Sequence, residues 1–159
     1  MRHVISLLVE NKVGVLARIT GLISGRGFNI DSLAVGETEN PALSRITIIV
    51  KGDDAILEQV RKQMGKLIDV IKVLDFADEE IVERNLMLVK VNCPIGKRGE
   101  IIEIVDIFRG RIVDVGQKDL IIEIAGTGDK LEAMLSLLKP YGIKELVQTG
   151  SIAIARGTK

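Results

Sequence analysis

The 159-residue chain has one cysteine, one histidine, one tyrosine, three phenylalanines and no tryptophan, and each shortage closes off a class of chemistry. Cys93 alone excludes an internal disulfide framework and a thiolate zinc cluster. His3 opens a predicted strand, where a half-exposed structural residue is expected, and no neighbour orients it for a Ser-His-Asp or Cys-His arrangement. No HxxxH, ExxH or paired-cysteine spacing offers a metal site. Net charge is also lacking: 22 Lys and Arg balance 22 Asp and Glu, so no global field attracts nucleic acid or an anionic membrane. No apolar run reaches the roughly 18–20 residues that span a bilayer. The opening MRHVISLLVENK lacks a small-residue cleavage site and is interrupted by Glu10, so it reads as a strand, not a signal peptide. A cytoplasmic protein that touches neither membrane nor nucleic acid is the expectation.

Aliphatic residues are plentiful. Apolar types make up 47% of the chain, dominated by Ile, Val and Leu, which is enough to build two small cores. Their spacing is periodic. Ile5, Leu7 and Val9 alternate with Val4, Ser6 and Leu8 in a strand apolar on both faces. Val15, Leu16, Ile19, Leu22 and Ile23 form one helical stripe, which Gly25 and Gly27 end. Two strands follow, Ile30 to Gly36 and Ser44 to Val50, joined by the polar ETENPAL. Asp53 or Asp54 caps a second helix striped by Ile56, Leu57, Val60, Met64, Leu67 and Ile68, and Val70 to Phe76 is a last strand.

After an acidic joint, ADEEIVERN (Ala77 to Asn85), the order recurs. A strand through Met87, Val89, Val91 and Cys93 leads to a helix over Ile101 to Phe108. A hairpin turns at GQKD, a helix stops before Pro140, and a strand runs from Ile143 to Val147, with Ser151 to Ala155 extending it or adding another. The offset is about 84 residues. The fold class is therefore α+β: two tandem ferredoxin-like βαββαβ units, each an antiparallel sheet with two helices on one face, divided as 1–77 and 78–159. The apolar residues on both faces of the first strand imply that the bare sheet face and free edges are covered by a partner.

Chemistry concentrates in LVENKVGVLARITGLISGRGFNI, Leu8 to Ile30. Gly14 sits where strand turns into helix, beside first-turn N–H groups at the positive end of the dipole, and admits a carboxylate or phosphate close to the backbone. Asn11 can accept from an ammonium and donate to a carboxylate, and Asn29 can do the same from another strand or chain. On spacing alone, ordinary turn chemistry is the stronger account of all three residues. Nucleotide motifs fit poorly: GLISGRG lies at a helix end, and CPIGKRGE places Arg98 where a phosphate loop needs a hydroxyl. An RNA-binding sheet needs aromatics on its central strands. No nucleophile, base and oxyanion site assemble, so catalytic residues: none.

The run from Leu8 to Gly36, with RGFNIDSL followed by a polar loop and SR, and then RKQMGKLIDVIKV, resembles the ACT domain of the regulatory (small) subunit of acetolactate synthase, also called acetohydroxyacid synthase. ERNLMLVKV is similar to the start of the second half in that family, with Ala17 and Asn85 as small departures. The resemblance implies a non-catalytic chain, binding no cofactor of its own. Its partner would be a large catalytic subunit that holds thiamine diphosphate, Mg²⁺ and FAD. It would raise that subunit's activity and confer valine feedback inhibition in branched-chain amino acid biosynthesis. It further implies a homodimer or higher oligomer with valine at the interface: Asn11, Val13, Gly14, Val15 and Leu16 from one protomer, Asn29 and Ile30 from the other. The second half lacks this pattern at matching positions, so a structural, dimerising or partner-binding role is expected there. The alternative is a free-standing ACT-domain amino-acid sensor controlling another enzyme.

Overall fold

The computed structural model describes residues 2–157. Among them the elements run β1 (Arg2–Glu10), α1 (Val15–Gly25), β2 (Asn29–Glu37), β3 (Leu43–Lys51), α2 (Asp54–Met64) and β4 (Val70–Asp75). Then follow β5 (Ile81–Asn92), α3 (Arg98–Ile107), β6 (Arg111–Val115), β7 (Asp119–Gly126), α4 (Gly128–Leu138), β8 (Ile143–Gln148) and β9 (Ile152–Ala155). The strand orders are β2-β3-β1-β4 and β6-β7-β5-β8, with β9 paired to β5. Both four-strand orders, with antiparallel neighbours, are those of the ferredoxin-like βαββαβ unit expected from the repeat. No helix among the described residues is long and apolar enough to cross a membrane.

In the first unit the odd-numbered face of β1 (Ile5, Leu7, Val9) meets α1 through Val15, Ile19 and Ile23, and α2 through Leu57, Val60 and Met64. Burying each such side chain contributes about 1.5–3 kcal/mol. A one-residue slip of β1 would turn that whole set away from the helices, so the pairing Ile5↔Ile48 and Leu7↔Ile46 is strongly specified. Asp53, not Asp54, caps α2, its carboxylate accepting from the Ala55 N–H at 2.8 Å. The second unit repeats the scheme. Met87, Val89 and Val91 of β5 pack on Ile101 and Val105 of α3 and on Leu131, Met134 and Leu138 of α4, which Thr127 caps.

Three expectations change. His3 is buried, at 5% exposure, with Nε2 3.0 Å from Asp54 Oδ1 but without hydrogen-bond alignment. It lies on the helix-facing side of β1, opposite Val50, which explains its burial. The acidic joint is turn only over 77–80, because β5 begins at Ile81. Third, the second face of the first sheet is covered from within the chain. One compact unit holds the described residues through Val82 together with those from Gly150 onward, and the other is Glu83–Thr149. The division 1–77 and 78–159 does not contain that return. Val4, Ile49 and Phe76 are buried there against Leu74, Ile81, Ala153 and Ala155. The Arg156 N–H donates to Glu80 O at 2.8 Å and the Ser151 N–H to Ser32 Oγ at 2.7 Å. Gly150 lies so close to β2 that a Cβ would stand 2.2 Å from the Leu33 carbonyl oxygen.

Candidate functional site

β1 ends at Glu10, and the next four residues turn the chain into α1. Gly14 makes the turn with φ 86° and ψ −10°, left-handed backbone that a glycine adopts without steric cost. The Val15 N–H closes a loose bond to Lys12 O at 3.4 Å, and the Arg18 N–H starts the helical ladder on Gly14 O at 3.1 Å. No side chain caps α1. Its first turn therefore presents N–H groups at the positive dipole end, open to an acceptor from outside.

The joint is braced on both sides. Lys12 Nζ sits 3.0 Å from Glu10 Oε2, and that hydrogen bond, then the carboxylate's charge, holds the ammonium above its ordinary range. Arg18 pairs with Asp69, whose carbonyl also receives the Glu10 N–H at 2.8 Å. Asn11 ties the joint to the loop after β2. Its backbone N–H donates to Ala42 O at 2.8 Å, and its Nδ2 donates to Glu37 Oε1 and Pro41 O, each at 3.0 Å. The amide NH₂ is thereby committed to the fold, which leaves Oδ1, an acceptor, as the side chain's remaining polar atom.

The other residues of the predicted site divide by exposure. Val13 is fully exposed and Leu16 is 39% exposed, so both are available to an apolar ligand. Val15 is 3% exposed and belongs to the core, where it anchors α1 from beneath. Asn29 and Ile30 open β2; Asn29 is exposed, and Ile30 is half-buried against the core next to a bulge between Ile30 and Ser32. Within one chain these groups do not meet. Asn29 lies opposite Lys51, the residue that Arg2 faces from β1, whereas Asn11 follows the Glu10↔Leu43 pair at the far end of the same sheet. A nine-residue strand separates the two ends by roughly 27 Å. Sequence reasoning did not single out Glu37 and Pro41, the side-chain partners of Asn11; the polar ETENPAL loop was the available signal.

Comparison with known proteins accounts for nearly the whole chain. Residues 5–72 match the AHAS small subunit-like ACT domain, and residues 84–157 match the small subunit of acetolactate synthase. A probable acetolactate synthase small subunit from Archaeoglobus fulgidus is 55% identical over 159 residues, covering 100% of this chain and 99% of that one. The chain belongs to the acetolactate synthase small subunit family. The small subunit from Mycolicibacterium smegmatis is 50% identical over 157 residues, 99% of this chain and 92% of that one. The crystal structure of the small subunit from Thermotoga maritima superimposes with a TM-score of 0.91 at 42% identity, covering 100% and 99% of the two chains. The family fold thus extends over both ferredoxin-like units.

Among the described residues, no cluster of three His, Cys, Asp or Glu is placed to hold a metal ion.

Proposed function

We propose that this chain is the regulatory subunit of an acetolactate synthase, a transferase whose thiamine-diphosphate-dependent catalytic subunit it activates and makes sensitive to valine. The observation that carries the site assignment is the bond from Asn11 to Glu37. Glu37 ends the edge strand β2, and Asn29 begins it. If two copies pair antiparallel through β2 in the register that sets Leu33 opposite the partner's Leu33, each Asn29 falls opposite the partner's Glu37, and so beside the partner's Asn11. Residues about 27 Å apart in one chain become neighbours in two.

In that arrangement the valine carboxylate takes the first-turn N–H groups around Gly14 to Leu16, where the dipole favours negative charge. Asn11 Oδ1 accepts from the ammonium, Asn29 holds the ligand from the other protomer, and Val13, Leu16 and Ile30 pack the isopropyl group. An aliphatic pocket separates ligands by only about 1–3 kcal/mol per methylene, so leucine and isoleucine bind the same site more weakly. Valine binds best when two chains are held in one relative orientation, and inhibition is the holoenzyme's shift toward the state containing that orientation.

Reconstitution tests the reading. Adding this chain to the catalytic subunit from the same source should raise acetolactate formation and confer inhibition by millimolar valine. Gly14→Asp, which places a carboxylate against the ligand's own, and Asn29→His should keep the activation and lose the inhibition. A preparation that neither activates nor responds to valine sinks the proposal.

A further inference from the structure

The strand-to-helix joint that forms the Asn11–Gly14 turn in the first unit has a counterpart in the second, between β5 and α3. There it opens a cleft of about 820 Å³ lined by Asn92, Pro94, Ile95, Arg98, Gln117, Lys118 and Tyr141. That is the size of a small-molecule site. Its walls are fixed by backbone bonds: the Cys93 N–H donates to Lys118 O and the Asn92 N–H to Gly142 O, both at 2.8 Å. Arg98 Nη2 donates to the carbonyls of Gly116 at 2.8 Å and Gln117 at 3.2 Å, joining the start of α3 to the β6–β7 turn.

The lining has one sign of charge. Arg98 and Lys118 are cationic, and none of the lining residues is acidic. Two neighbouring carboxylates already have partners: Glu100 accepts from the Tyr141 hydroxyl at 2.8 Å and lies 3.5 Å from Lys97, and Asp119 pairs with Lys144 at 3.0 Å. Arg98 bonds through Nη2 only to neutral carbonyls, and its Nε–H is buried without an acceptor. Beside these cations stand apolar surfaces: Pro94, the 80% exposed Ile95, and Tyr141, whose hydroxyl is already committed to Glu100.

We propose that this cleft is a second ligand site, taking a small organic anion: a carboxylate bound by Arg98 and Lys118, with an apolar branched or ring group against Ile95, Pro94 and Tyr141. The site is distinct from the Asn11–Asn29 site and does not depend on valine binding there. Lys118 supplies charge from an exposed turn, and Arg98 positions that turn as well as contacting the anion.

Amide NMR on the full-length chain tests it, with phenylacetate, its neutral counterpart phenylacetamide, and inorganic phosphate as probes. Phenylacetate at millimolar concentration should give saturable shifts at the amides of Ile95, Gly96, Gln117 and Lys118. Phenylacetamide and phosphate should each bind at least about ten-fold more weakly, because each lacks one half of the recognition. Lys118→Met, which leaves the Arg98 bonds to the turn carbonyls in place, should weaken phenylacetate by about ten-fold. Equal binding of the amide, equal binding of phosphate, unchanged affinity in Lys118→Met, or no shifts at these amides would each overturn the proposal. Shifts at Gly14 and Asn29 report the other site separately, so failure of one reading is not mistaken for failure of the other.

Discussion

At the scale of single residues, the contacts that matter are short-range and of mixed purpose. Asn11 was legible as a polar residue at a strand end, but its spacing says nothing of Glu37, 26 positions away, which takes half of its donor capacity. Gly14 was legible because a left-handed turn before an uncapped helix leaves few other choices of residue. The face of His3 was legible, since it shares the parity of Ile5, Leu7 and Val9, but its burial was not, because β1 is apolar on both faces and a polar residue at a strand start is commonly exposed. Tyr141 and Glu100 offer a residue-scale prediction. The Tyr141 hydroxyl, then the Lys97 charge, holds the Glu100 carboxyl below the usual glutamate range, and the same bond raises the tyrosine. A lowered carboxylate adds stability above its unfolded value and loses it as pH falls through the folded one. A raised phenol adds stability below its unfolded value and loses it as pH rises through the folded one. The wild type should therefore exceed Tyr141→Phe in chemical denaturation midpoint at neutral pH, with the gap closing in acid and again in strong alkali. A pH-independent gap would show that the bond contributes no proton linkage.

At the scale of elements, helical stripes and strand alternation were enough to place the four α-helices and eight of the nine strands among the described residues, because each has one face that must leave water. Alternation in β1 also showed that its second face is apolar. It could not show what covers that face, since burial by a partner and burial by a distant segment leave the same pattern. The answer, Ala153 and Ala155 with Ile81, rests on small residues that carry little periodic signal. Gly150 is the sensitive point. Gly150→Ala places a methyl against the Leu33 backbone, which has no room to yield by the required amount. The 150–157 segment should then detach, with a loss of about 2–4 kcal/mol in denaturant unfolding as Val4, Ile49 and Phe76 are uncovered. Amides of Ser151 and Arg156, protected through Ser32 Oγ and Glu80 O, should exchange quickly in the variant and slowly in the wild type.

At the scale of the whole molecule, one chain holds two halves of the proposed valine site and cannot close it alone. In the proposed dimer, pairing through β2 would make association and valine recognition one property. Val35, 46% exposed on that edge, is a place to separate assembly from folding. Val35→Lys should keep the wild-type circular dichroism, sediment as a monomer, and give no heat on titration with valine. A monomer that still binds valine would remove the shared site. The repeat in the sequence announced two similar units but not the cleft at the second joint, because Arg98, Lys118 and Tyr141 are distant in sequence and converge only in the fold.

The return of residues 150–157 to the first unit also sets an order of events during synthesis. Everything from Glu83 to Thr149 leaves the ribosome before the segment that covers Val4, Ile49 and Phe76 exists. The helix-packed face of the first unit can form early from local contacts, but its second face must wait for the whole second unit to be made. During that interval the nascent chain carries an exposed apolar sheet face. A stalled or prematurely ended translation product therefore differs from the finished protein in stickiness as well as in length.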